Sequence, residues 1–243
     1  MATRYWVGGS GTWTASNTAN WSASSGGPGG ASAPTSVDDV VFDSASNATA
    51  YAVTIGADFV GTGYITGGQL VITAVTSGTL AVGQYISYLS IGAPITIVSL
   101  GSGTGGVGTY NLSAAPAVAA VSGETISAGG AVCQDLTAAG PASGAVTFNL
   151  GATTSIDIYG SLTLPATNLT WTAVTGALIC FRATTTGKTV TTNGVSLTAS
   201  RVDFDGIGGG WTLGSAVTLT NPFRVLSGTF DTANYNIDQR CLY

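Results

Sequence analysis

Asp203 and Asp205 are the residues of this chain best spaced for chemistry. Two positions apart, they share one face of a strand. A pair of carboxylates about 5 to 9.5 Å apart, one protonated, is what glycoside hydrolysis uses. Asp38, Asp39 and Asp43 form a second acidic cluster. Either set could lend oxygens to calcium, which needs several converging on one point. A solvated strand face or turn uses the same residue types, and that is the expectation for both sets. Histidine is absent, so Ser-His-Asp and Cys-His catalysis and histidine zinc sites fail outright. Cys133, Cys180 and Cys241 are odd in number and widely spaced, which fits reduced, mostly buried thiols better than a disulfide framework or a thiolate zinc site. No catalytic residue, no metal site and no cofactor is expected.

Gly101-Ser102-Gly103-Thr104-Gly105-Gly106 matches the GxGxxG pattern and has Glu124 eighteen residues beyond it. Dinucleotide binding needs a helix N-terminus directly after the glycines. Val107-Gly108-Thr109-Tyr110-Asn111-Leu112 reads as a strand, so the run is expected to be a glycine-rich β-turn. Tyr5, Trp6, Trp13, Trp21 and Tyr51 could form a sugar-stacking platform, although such residues more often anchor a core or an interface. Asn20, Asn47, Asn111 and Asn168 each head an Asn-x-Ser/Thr triplet, as chance allows in a chain so rich in Ser and Thr.

The elements that carry these residues are expected to be strands throughout. Period-two alternation recurs in Val71 to Val75, Ile95 to Val98, Ser155 to Tyr159 and Ser161 to Leu164, and no ten-residue stretch carries a 3.6-residue apolar stripe. The protein is read as all-β, with three regions. Residues 1–56 form an N-terminal β region whose Ser24 to Pro34 stretch, rich in Gly, is expected to be exposed and mobile unless a partner orders it. Residues 57–128, with no charge between Asp58 and Glu124, are a small barrel or sandwich. Residues 129–243 carry Gly144, Gly160, Gly176, Gly194, Gly214 and Gly228, each ahead of a short strand. Their spacing fits coils of a β-solenoid, or arms of a meander or sandwich.

Charged residues are 7% of the chain, against roughly 25% in an ordinary soluble domain. The net charge is −5 and the six basic residues are scattered, so nucleic acid, which demands clustered positive charge, is excluded as a partner. Mean hydropathy is +0.39, yet Thr, Ser and Gly break every run short of the roughly 18 apolar residues of a spanning helix. No membrane is expected. The opening residues show no secretory signal, which places synthesis in a cytoplasm. Such sparse charge leaves little to stop copies associating.

Arg4-Tyr5-Trp6-Val7-Gly8-Gly9-Ser10-Gly11-Thr12-Trp13, Asn20-Trp21-Ser22 and Pro34 to Asp43 resemble the start of structural proteins of tailed bacteriophages. Leu70 to Gln84 and Gly101 to Tyr110 are similar to a small β-module of phage tail and fibre proteins, and Gly160 to Pro165 and Gly228 to Asn236 resemble the β-repeats of fibres and adhesins. The resemblance implies a non-enzymatic component of the outer virion surface: a tail fibre, a head fibre or a capsid decoration. In such proteins the module is movable, so residues 57–128 are read as an insertion. The partners implied are copies of the chain, as a homotrimer, and other capsid or tail proteins. Host surface glycan is an alternative ligand, and a polysaccharide-degrading spike using Asp203 and Asp205 is a further alternative. Tyr5, Trp6, Trp13 and Trp21 are assigned to attachment, and loss of residues 1–36 is expected to leave the repeats folded. Ile237, Leu242 and Tyr243 are assigned to an oligomer interface at the C-terminal edge, where the array either packs against two further copies or continues into a longer fibre.

Overall fold

The computed structural model describes residues 1–243 apart from 88–94, 117–119, 121, 142, 153 and 240–243. Every regular element among the described residues is a strand. Most strands run parallel to neighbours distant in sequence, in three ladders that the chain visits in turn. The first ladder stacks Thr3–Trp6, Asp39–Phe42, Leu136–Ala138, Leu162–Thr163, Lys188–Thr191 and the second half of Arg201–Leu213. The second stacks Gly11–Trp13, Tyr51–Ile55, Val146–Leu150 and Leu169–Ala173. The third stacks Ala131–Cys133, Ser155–Ile158, Leu178–Phe181, the first half of Arg201–Leu213 and then Phe223–Asp231. Because Arg201–Leu213 belongs to two ladders, the first and third join into one curled eleven-stranded sheet.

Alternation explains the core. Val40 and Phe42, Val53 and Ile55, Phe148 and Leu150, Ile156 and Ile158, Trp171, Ile179 and Phe181, and Val202 and Phe204 all turn inward and are buried in one continuous cluster. β-branched and aromatic residues suit such a half-buried pleat. The register also corrects the glycine spacing. Leu136 faces Leu162, which faces Val190, steps of 26 and 28 residues. Asp157 faces Cys180, which faces Asp203, two steps of 23. The glycines are bends between different ladders: Gly144 precedes a strand of the second, Gly160 of the first and Gly176 of the third. Gly228 lies inside a strand and opens none. Gly176 has φ +88°, a conformation that favours glycine.

Between Ile55 of the second ladder and Ala131 of the third, the chain makes a closed six-stranded barrel from Phe59–Thr66, Gln69–Gly78, Tyr85–Ser87, Ile95–Leu100, Gly108–Leu112 and Glu124–Ala128. All its pairings are antiparallel, and closure leaves no free sheet edge. Phe59, Leu70, Ile72, Ile97, Tyr110 and Ile126 fill a core of its own. The GxGxxG run is a turn leading into the strand at Gly108. It is fastened by the Tyr110 hydroxyl, which accepts from Gly105 N and donates to Gly106 O.

The N-terminal region departs from expectation. Trp6, Trp13 and Trp21 are fully buried, with Trp21 edge-on to Trp6 at 4.9 Å and to Trp13 at 5.1 Å. They are core, not an attachment surface, because the inward positions of the first two ladders leave a space at this end that only large side chains fill. Tyr5 is half-buried. The Ser24 to Pro34 stretch is largely exposed, as expected, and its far end is hydrogen-bonded within the chain: Gly30 N donates to Thr18 O and Ala31 N to Trp21 O, while the Arg4 guanidinium holds Ser32.

Asp38 fastens the same end. Its carboxylate accepts from Ala2 N, Thr35 N and the Thr35 hydroxyl. Burial pushes its pKa up, but these bonds outweigh that and hold it below the ordinary 3.8. A carboxyl depressed in the folded state contributes stability above its unfolded pKa, and loses it as pH falls through the folded value. Asp38→Asn should therefore cost about 1–2 kcal/mol near neutrality. The cost should shrink as pH falls through the folded-state value of Asp38, where wild type itself becomes protonated, and urea denaturation across a series of pH values checks this.

Candidate functional site

The outward face of the third ladder gathers six charged side chains. Ser155-Ile156-Asp157-Ile158-Tyr159, Leu178-Ile179-Cys180-Phe181-Arg182 and Arg201-Val202-Asp203-Phe204-Asp205 lie side by side in register. Because Ile156, Ile158, Ile179, Phe181, Val202 and Phe204 point into the core, alternation sends Asp157, Cys180, Arg182, Arg201, Asp203 and Asp205 to the other side. Arg224 completes the row opposite Asp203.

There three carboxylates meet three guanidiniums. Arg182 bridges two of them, Nε to Asp157 Oδ1 at 2.9 Å and Nη1 to Asp205 Oδ2 at 2.7 Å. Asp203 takes Arg201 Nε on both oxygens at 2.9 Å, and takes Arg224 Nε on Oδ1 at 2.9 Å and Arg224 Nη2 on Oδ2 at 3.0 Å. The remaining oxygens of Asp205 and Asp157 accept the hydroxyls of Ser227 and Ser155. Asp203 is 1% exposed and Arg182 is 5%, so these charges persist out of water only because each is paired and hydrogen-bonded. Burial works against the Arg182 cation, but the neighbouring carboxylates of Asp157 and Asp205 more than offset it and its pKa is raised. A hydrogen bond to Asp203 likewise raises Arg224. Burial pushes the Cys180 and Cys133 thiols up, which keeps both in the unreactive protonated form.

This geometry overturns the expectation of a solvated strand face: Asp203 and Asp205 are buried, and every oxygen of both accepts a bond from a cation or a hydroxyl. Asp38 and Asp43 serve separate turns, Asp43 accepting from Ala45 N. Among the described residues no three His, Cys, Asp or Glu side chains converge as a metal site. Cys133 and Cys180 are free and buried; Cys241 lies outside the described residues.

Beside the array, where the barrel faces the third ladder, lies a cleft of about 560 Å³. Tyr85 from the barrel lines it and also meets Tyr159, which follows Ser155–Ile158, with ring centres 6.3 Å apart. Asp58 and Asp157 both line the cleft, and Asp58 accepts the Ser16 hydroxyl at 2.6 Å.

No family model, curated protein or solved structure matches the chain.

At the opposite end of the stack, Phe223–Asp231 is an outer strand with Val225 and Leu226 each more than two-fifths exposed. Ile237 pairs with Val217 and packs with Phe223 and Phe230 around a small apolar cavity of its own chain. It is half-buried in that intramolecular packing; Leu242 and Tyr243 lie outside the described residues. Sequence reading missed Asp157, Arg182 and Arg224. For Asp157 and Arg182 the signal is the 23-residue recurrence of an alternating pentapeptide starting at Ser155, Leu178 and Arg201, polar or charged at most of its outward positions; Arg224, 21 residues beyond Asp203, falls outside it.

Proposed function

We infer that the chain is a non-enzymatic structural protein of the outer surface of a tailed-phage virion, a fibre or decoration component that works as a homotrimer. In this reading the three ladders are the faces of a β-solenoid, residues 1–56 and 129–243 build it, and residues 57–128 are a barrel inserted between two of its strands. The observation that carries the reading is the ion-pair array. The carboxylates best spaced for chemistry are bound to guanidiniums, as in a rod that must keep its register. The outer strand Phe223–Asp231, with its own Val225 and Leu226 exposed, is an edge that a further copy would cover. The sequence resemblance to phage structural proteins supplies the setting. The test is immunogold labelling of purified tailed particles with antibodies raised against the folded chain. Label on the capsid or tail exterior is expected, and particles free of label would overturn the reading.

A further inference from the structure

We propose that the cleft between the barrel and the third ladder binds a neutral pyranose unit of a glycan. Its size, about 560 Å³, falls in the range of small-molecule sites, as does its mixture of apolar wall and a few converging polar groups. Pro34, Val82 and Val132 supply aliphatic surface and Tyr85 supplies the aromatic ring, a combination suited to the C–H face of a sugar. Asp58 supplies the acceptor: it takes one hydroxyl, from Ser16, and pairs with no cation among the described residues. The Asp157 side chain is 11% exposed. Each of its oxygens accepts one bond in the array, and a carboxylate has about four lone-pair sites to offer. Gln84 accepts from Ala81 N through its oxygen, which leaves the two amide N–H donors for a sugar hydroxyl. Gly83, Gly129 and Gly130 line the cleft without side chains, so a ligand can approach the backbone closely.

The charge at the site selects the class. Asp58 has no ion-pair partner among the described residues and Arg182 is held by two carboxylates, so an acidic sugar or phosphate would meet repulsion from Asp58 and Asp157. A neutral polyol donates to the carboxylates and accepts from the amide. This site is independent of the buried tryptophans, which have no exposed face to stack a sugar.

Saturation-transfer NMR on the full chain with the methyl glycosides of glucose, galactose, mannose and N-acetylglucosamine is the test. At least one should receive saturation from the protein. Asp58→Asn, which removes a charge-assisted acceptor, and Val82→Trp, which fills the cleft from a position 56% exposed, should each weaken binding about tenfold or more. Both variants should melt at the wild-type temperature. If none of the four glycosides is saturated, or if both variants bind as wild type does, the proposal is wrong. Preferential binding of glucuronate or butylamine would likewise overturn the choice of a neutral ligand. Particle labelling is a separate readout, so failure here leaves the virion reading standing.

Discussion

Replacing Arg182 with methionine should lower the free energy of unfolding by about 3–5 kcal/mol. Among the described residues Arg182 is the one cation ion-paired with both Asp157 and Asp205, and its loss leaves two carboxylates of the array in a place where water reaches them poorly. Methionine retains the apolar stem, so the packing change is small beside the electrostatic one. The same argument predicts rescue. In the triple variant Arg182→Met, Asp157→Asn, Asp205→Asn no unpaired charge remains, and part of the loss should return. Urea denaturation reads both, provided the m-value stays constant. If Arg182→Met unfolded at the wild-type midpoint, the array would hold no role in stability.

Trp21→Ala should cost about 3–5 kcal/mol, and removal of residues 1–36 should prevent soluble folding altogether. Trp21 lies fully buried between Trp6, Trp13 and Phe42. It touches strands of the first ladder through Trp6 and Phe42 and the second ladder through Trp13. The truncation would remove all three indoles and the strand Thr3–Trp6, which pairs with Asp39–Phe42, uncovering one end of the core. Near-ultraviolet circular dichroism and solubility of the truncated chain measure this. A soluble, cooperatively melting truncation would show that the N-terminal region is an appendage.

What the sequence discloses is local. Alternation in Val71 to Val75 and in Ser155 to Tyr159 is enough to assign strands, since the period of two is set by backbone geometry alone. The turn at Gly101 to Gly108 is legible because the residues after it are strand formers. Registers are harder, since they depend on how many residues each bend consumes: Leu136 to Leu162 and Leu162 to Val190 differ by two residues, which blurs any repeat. Asp157 therefore looks isolated in sequence although it lies one strand from Arg182. The tryptophans mislead for another reason. A Trp with Gly and Ser around it has the composition of an exposed aromatic, and only the pairing of Thr3–Trp6 with both Trp21–Ser22 and Asp39–Phe42 shows that these indoles point at one another. Barrel closure also lay beyond reach, because a barrel and a sandwich share the same alternation and differ only in which strands meet.

The central claim is that this chain is an assembling structural unit, and light scattering coupled to size-exclusion chromatography tests it most directly. The full chain should elute as one species with three times its 24.0 kDa mass, unchanged on dilution; a monodisperse monomer at every concentration would contradict the account.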